Sequence, residues 1–104
     1  RIEVLATEGT WIGLAEGIEG YLINHTITLD SGDVILLYTD GVTEAKEKSG
    51  DMYEEERLEE FVGTCMAKEL SVKEFADLLI SELNRFSKGV PQADDITFLG
   101  LKLN

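Results

Sequence analysis

Val34-Ile35-Leu36-Leu37-Tyr38-Thr39-Asp40-Gly41 passes directly from an apolar run to a Thr-Asp-Gly exit. Val34 to Tyr38 shows no alternation of polar and apolar side chains, which predicts a strand buried on both faces or nearly so. Upstream, Tyr21 to Leu29 does alternate. Tyr21, Ile23, Ile27 and Leu29 share one face, with His25 interrupting, while Asn24, Thr26 and Thr28 lie on the other. Period two with β-branched residues predicts a half-buried strand. Asp30-Ser31-Gly32-Asp33 separates the two runs. Asp and Ser bond to nearby backbone and Gly takes positive φ, so the four residues read as a turn. The two runs are therefore expected to pair as an antiparallel hairpin.

Downstream of Gly41, residues Val42 to Gly50 are polar and charged, and Ser49-Gly50-Asp51 reads as a turn. Glu54 to Ala67 is expected to be helical, with Leu58, Phe61, Val62 and Cys65 on one stripe. Its Glu-rich first turn suits the positive end of the helix dipole. A second helix starts at Ser71, where Glu74 completes an S-x-x-E capping box. Its apolar face is Val72, Phe75, Ala76, Leu79, Leu83 and Phe86, and Lys88-Gly89 followed by Pro91 ends it. The last strand is expected over Ile96 to Leu103. Glu8 to Gly20 reads as loops around a short strand, Trp11 to Leu14. Strands, then two helices, then a strand make an α+β pattern with an antiparallel sheet.

The chain has 104 residues, enough for one small domain. It opens with Arg1-Ile2-Glu3-Val4-Leu5, which reads as the inside of a strand, so a piece of a longer protein is expected. Its net charge of -12 argues against a nucleic-acid surface, which needs clustered Lys and Arg. The same charge argues against contact with an anionic membrane. The single cysteine, Cys65, cannot form an internal disulfide, and no apolar run approaches membrane-spanning length. A cytoplasmic location is the expectation.

Two acidic motifs stand at strand ends: Tyr38-Thr39-Asp40-Gly41 and Asp94-Asp95-Ile96-Thr97. If both strand ends meet at one edge of a sheet, Asp40 and Asp94 come close together. Carboxylates in such a place repel unless a cation lies between them. Magnesium and manganese favour oxygen ligands of this kind, and a pair of such ions assists in-line attack on a phosphoryl group. Each motif also has a plain reading, since Asp-Gly after a strand is often a turn and Asp-Asp before one often a solvated edge. His25 is the sole histidine and reads as structural or exposed, which leaves no His-based zinc cluster. Cys65 reads as a buried apolar residue, and the Glu54, Glu55, Glu56, Glu59, Glu60 series as a solvated helix face.

From Gly9 to Leu103 the chain resembles the SpoIIE-like serine phosphatases, a bacterial branch of the metal-dependent type 2C protein phosphatases (PPM). The residues that carry the resemblance are Ile12-Gly13-Leu14, Leu29 to Asp33, Leu37-Tyr38-Thr39-Asp40-Gly41-Val42-Thr43-Glu44-Ala45 and Gln92-Ala93-Asp94-Asp95-Ile96-Thr97. The resemblance implies an αββα sandwich, of which residues 1–104 would be the C-terminal portion. It implies that Asp40 and Asp94 are metal ligands, for Mn2+ or Mg2+, with two ions in a complete domain. Asp95 stands where relatives often carry Asn, which places it behind the ligands, with Thr97, Glu44 and Gly41 supporting the site. The implied activity is hydrolysis of phosphoserine or phosphothreonine on a regulatory protein such as an anti-sigma-factor antagonist.

The sequence also departs from that family. Members carry a metal-bridging Asp in a preceding half, and here no Asp precedes Asp30. Little or no activity is expected from these residues alone. Tyr53-Glu54 replaces the usual Phe-Gly, and Trp11 a common Pro, changes that touch loop shape and not the ligands. Two other readings remain open: a non-catalytic module that binds a partner, and a structural half-domain that self-associates into a homo-oligomer through exposed sheet edges.

Overall fold

The computed structural model describes residues 2–5, 16–17 and 26–104. Its elements are β1 (Val34–Tyr38), α1 (Asp40–Thr43), α2 (Glu54–Met66), α3 (Val72–Phe86) and β2 (Phe98–Lys102). The arrangement is α+β, as the sequence pattern predicts.

β1 pairs antiparallel with β2, with Val34 opposite Lys102 and Tyr38 opposite Phe98. Residues 26–30 form no strand, and Tyr21 to His25 lie outside the described residues. Among the described residues the strand paired with β1 is β2. The turn itself forms: the Asp33 N–H donates to the Asp30 carbonyl at 3.0 Å, and Gly32 takes φ 91°. Its backbone then faces Leu103. Gly32 N–H donates to the Leu103 carbonyl (2.7 Å), and Leu103 N–H donates to the Asp33 carbonyl (2.8 Å). These bonds prolong the β1–β2 ladder past its formal end. The last strand is shorter than Ile96 to Leu103, because Ile96 and Thr97 belong to the junction described below.

The expectation that β1 is buried on both faces needs correcting. Leu36 and Tyr38, with Phe98 opposite, turn toward the helices and pack against the core. Leu37, Leu99 and Leu101 turn the other way and are 54%, 52% and 51% exposed. A run without alternation says that both faces are apolar; it does not say what covers them. No described element lies over this outward face.

The core is Val42, Tyr53, Leu58, Leu79 and Leu83, ringed by half-buried Phe61, Val62, Phe75, Phe86 and Ile96. Leu58 and Cys65 are the buried members of the α2 stripe. Burial pushes the Cys65 thiol above its ordinary pKa, so the group stays protonated and inert. The α2 glutamates Glu54, Glu55, Glu56, Glu59 and Glu60 are all exposed. α3 begins as its sequence predicts, with the Ser71 hydroxyl oxygen accepting from Glu74 N–H at 3.1 Å. It buries Leu79 and Leu83, and Val72 abuts Gly100 of β2, where an added Cβ would lie 3.2 Å from Val72 Cγ1.

Among the described residues no helix is long and apolar enough to cross a membrane. The short strand predicted at Trp11 to Leu14, together with His25, falls outside the described residues.

Candidate metal-bearing rim of the sheet

Antiparallel pairing brings the exit of β1 and the entrance of β2 to the same rim. Tyr38 faces Phe98, so the next residue outward, Thr39, meets Thr97. Thr39 N–H donates to the Thr97 carbonyl at 3.0 Å. The Thr39 hydroxyl accepts from Thr97 N–H at 3.1 Å. It also donates toward the carbonyls of Thr97 (3.3 Å) and Asp95 (3.4 Å). One side chain thus clasps the two acidic motifs together across 58 residues of sequence.

Gly41 makes the clasp tight. It is buried, and a Cβ built on it would stand 2.0 Å from the Asp95 carbonyl oxygen and 2.7 Å from the carbonyl carbon. Only a residue without a side chain allows the two backbones this close. Beyond it, Val42 is fully buried and anchors α1 in the core. α1 is a single turn that the sequence analysis did not predict. Thr39 caps it in extended conformation, and Glu44 N–H closes it on the Asp40 carbonyl at 2.8 Å.

The predicted site residues can now be placed. Asp40 is the first residue of α1 and is exposed. Asp94 is also exposed; its Oδ1 accepts from Asp95 N–H at 2.8 Å, and its carbonyl accepts from Gln92 Nε2 at 2.8 Å. Asp95 contributes its backbone, against which Gly41 packs. Thr97 enters through its main chain, while the side chain that makes those bonds belongs to Thr39. Thr39 is the residue that sequence reasoning passed over. The available signal was a hydroxyl placed one position past a strand and immediately before Asp-Gly.

Nearby acids act on Tyr38. Its phenol is raised above the usual 10.0 by burial first, then by the charges of Glu55 and Glu59, a hydrogen bond to Glu55 and the charge of Asp40. At the start of α2, Glu54 holds φ 66°, a left-handed conformation unusual for a residue with a side chain. This is the position where the resembling family places Gly. The departure noted in the sequence is therefore a point of backbone strain, and it lies away from Asp40 and Asp94 in sequence.

Two hard oxygen donors on one rigid rim suit Mg2+ or Mn2+ chemically. Among the described residues no group of three or more His, Cys, Asp or Glu side chains is placed to hold a metal ion.

The chain is α+β, with its two Asp-bearing motifs held together at one sheet rim. All of residues 1–104 match the family described as Stage II sporulation protein E (SpoIIE), and the chain belongs to that family. A curated relative, Protein IcfG of Synechocystis sp. (strain ATCC 27184 / PCC 6803 / Kazusa), is 33% identical over 90 residues. That alignment covers 82% of this chain and 14% of the relative, so the chain spans a small part of the protein it matches. No solved structure matches the chain.

Proposed function

We propose that this chain contributes to a metal-dependent protein serine/threonine phosphatase, with Asp40 and Asp94 as divalent-metal ligands. The observation that carries the reading is the Thr39 clasp. It holds the backbones of Asp40-Gly41 and Asp95-Ile96-Thr97 together at one rim, where the two motifs would otherwise be unrelated turns.

In this reading Asp40 and Asp94 would hold Mn2+ or Mg2+, whose chemistry would be to activate water and neutralise phosphoryl charge. The chain's own residues do the positioning. Asp40 and Asp94 offer carboxylate oxygens from a strand exit and a strand entrance, which hold them better than free loops would. Asp95 N–H orients the Asp94 carboxylate. Gly41 and Thr39 set the spacing between the two motifs, and the remaining ligands come from outside the described residues. Residues 1–104 alone are expected to bind metal weakly and turn over little substrate. The substrate class is a phosphoserine or phosphothreonine on a regulatory protein, such as an anti-sigma-factor antagonist, and the proposed location is cytoplasmic.

The test is a phosphatase assay of the full-length protein on a phosphoserine protein substrate with Mn2+. Asp40→Asn is expected to lower kcat by about a hundredfold or more, as loss of a group acting directly on the reacting centre does. Unchanged turnover in Asp40→Asn would reject the assignment, and no turnover in the parent under any divalent metal would favour a partner-binding module.

A further inference from the structure

The chain's few cations are unevenly placed. Its sequence holds 9 Lys and Arg against 21 Asp and Glu. Three of those cations, Lys48, Arg85 and Lys88, line one open pocket with Ser49, Glu47 and Phe86. A fourth, Arg57, stacks its guanidinium 4.6 Å from the centre of the Phe86 ring.

The fold builds this cluster from two segments. The Glu47-to-Asp51 turn is closed by the Lys46–Met52 bridge and by Gly50 N–H donating to the Glu47 carbonyl at 2.9 Å. It carries Lys48 onto the exit of α3, where Gly89 at φ 82° leaves room for it. A Cβ on Gly89 would stand 2.8 Å from Lys48 Cε. The carboxylates nearby are already engaged: Glu47 accepts from the Ser49 hydroxyl (2.6 Å), and Glu82 accepts from Arg85 Nε (3.0 Å). Among the described residues, Lys48 and Lys88 make no ion pair.

We infer that this pocket is a docking surface for an acidic segment of a partner protein. Three lining cations and Arg57 on the Phe86 ring, against Glu47 in the lining and Glu82 paired with Arg85, make a locally positive spot on a chain of net charge -12. At physiological salt, charges beyond about 8 Å are screened, so a ligand seated there feels the spot more than the acidic whole. Complementary charge of this kind fixes the partner's register and speeds encounter more than it adds affinity. The pocket is open and floored by the half-buried Phe86 ring, which suits an extended segment with carboxylates along it. The structural role of these cations at the negative end of α3 accounts for Arg85, which lies in its last turn. It does not account for Lys48, which comes from another segment of the chain. The inference does not depend on the phosphatase reading.

The experiment is fluorescence anisotropy of a labelled oligoglutamate peptide against the full-length protein at low and physiological salt. Binding that weakens with salt is expected. The double variant Lys48→Glu/Lys88→Glu should weaken it about tenfold, and Lys88→Gln alone about threefold, the scale of exposed charge contacts. Lys73→Glu, a charge reversal on the exposed face of α3, should change it less than twofold. Thermal melts of all variants should superimpose on the parent, which separates docking from stability. Equal losses in the Lys73 and pocket variants, or no peptide binding at low salt, would overturn the inference. So would displacement of the peptide by millimolar inorganic phosphate, because the pocket would then be a site for the free anion.

Discussion

Ser71 and Thr39 use the same chemistry at very different range. Each sets a hydroxyl oxygen 3.1 Å from a backbone N–H, Ser71 from Glu74 and Thr39 from Thr97. Ser71 reaches three residues along its own chain and starts a helix. Thr39 reaches 58 residues and fastens two strands' worth of acidic motif to each other. The local bond needs nothing but the helix it begins. The distant one exists only because Tyr38 and Phe98 are already in register and Gly41 has no side chain in the way. A hydroxyl's energy is similar in both places; its consequence depends on what it joins.

Substitutions that act on one of these bonds and spare the other break the comparison most sharply, and Gly41→Ala is expected to have the largest effect. The new methyl would collide with the Asp95 carbonyl, which is main chain and cannot rotate away. A loss of about 3 kcal/mol is expected from overpacking of this kind, read as the midpoint of chemical denaturation. Phosphatase turnover should fall further than stability alone explains. A fully stable, fully active Gly41→Ala would mean that the two motifs do not touch.

Thr39→Ala and Ser71→Ala form the next pair. Each is expected to cost about 1 kcal/mol of stability. They should part company in activity: Thr39→Ala lowers metal affinity or kcat, while Ser71→Ala leaves both unchanged once stability is matched. Thr39→Ser, which keeps the hydroxyl, should recover most of the loss.

Glu54 offers a stabilising test at the start of α2. Replacing it by Gly removes the penalty of φ 66° and should raise stability by up to about 1 kcal/mol. Metal binding should be unaffected. A destabilised Glu54→Gly would mean that the Glu side chain contributes more than its backbone costs.

The smallest effect at neutral pH is expected from Tyr53→Phe. The Tyr53 hydroxyl lies 3.3 Å from Glu82 Oε2 and 3.4 Å from the Arg57 carbonyl, long bonds whose loss should cost about 0.5 kcal/mol. Its value shows at alkaline pH. Burial, then the charge of Glu82 and the hydrogen bond to it, raise the phenol well above its usual 10.0. The folded state therefore holds this proton more tightly than the unfolded state does. The resulting stability is complete below pH 10 and is lost as pH rises through the folded-state value. Urea midpoints taken from pH 8 upward should decline less steeply in Tyr53→Phe than in the parent.

What could be read from the sequence follows the same division between near and far. The α2 stripe, the Ser71 cap, the α3 face and the Asp30-to-Asp33 turn are set by residues a few positions apart, and the structure contains them all. The partner of β1 was not legible. Alternation in Tyr21 to Leu29 and the turn after it point to a hairpin, whose first strand lies mostly outside the described residues, and nothing local says that the turn's backbone also bonds to Leu103. The exposure of Leu37, Leu99 and Leu101 was equally hidden, because an apolar face looks the same whether or not something covers it. At the rim, Asp40 and Asp94 were visible as strand-end acids, and the family resemblance marked their motifs. The role of Thr39 was not visible, since its contacts are made in space and not along the chain.

The most direct test is Mn2+ titration of the full-length protein by calorimetry, for the parent, Asp40→Asn, Asp94→Asn and the double variant. If both carboxylates reach one metal centre, each single change weakens binding at least about tenfold, and the double variant loses clearly less than the product of the two, as coupled neighbours do. Losses that simply multiply, or an Asp94→Asn protein that binds Mn2+ like the parent, would show that the clasped rim does not bring residues 40 and 94 to a common ion.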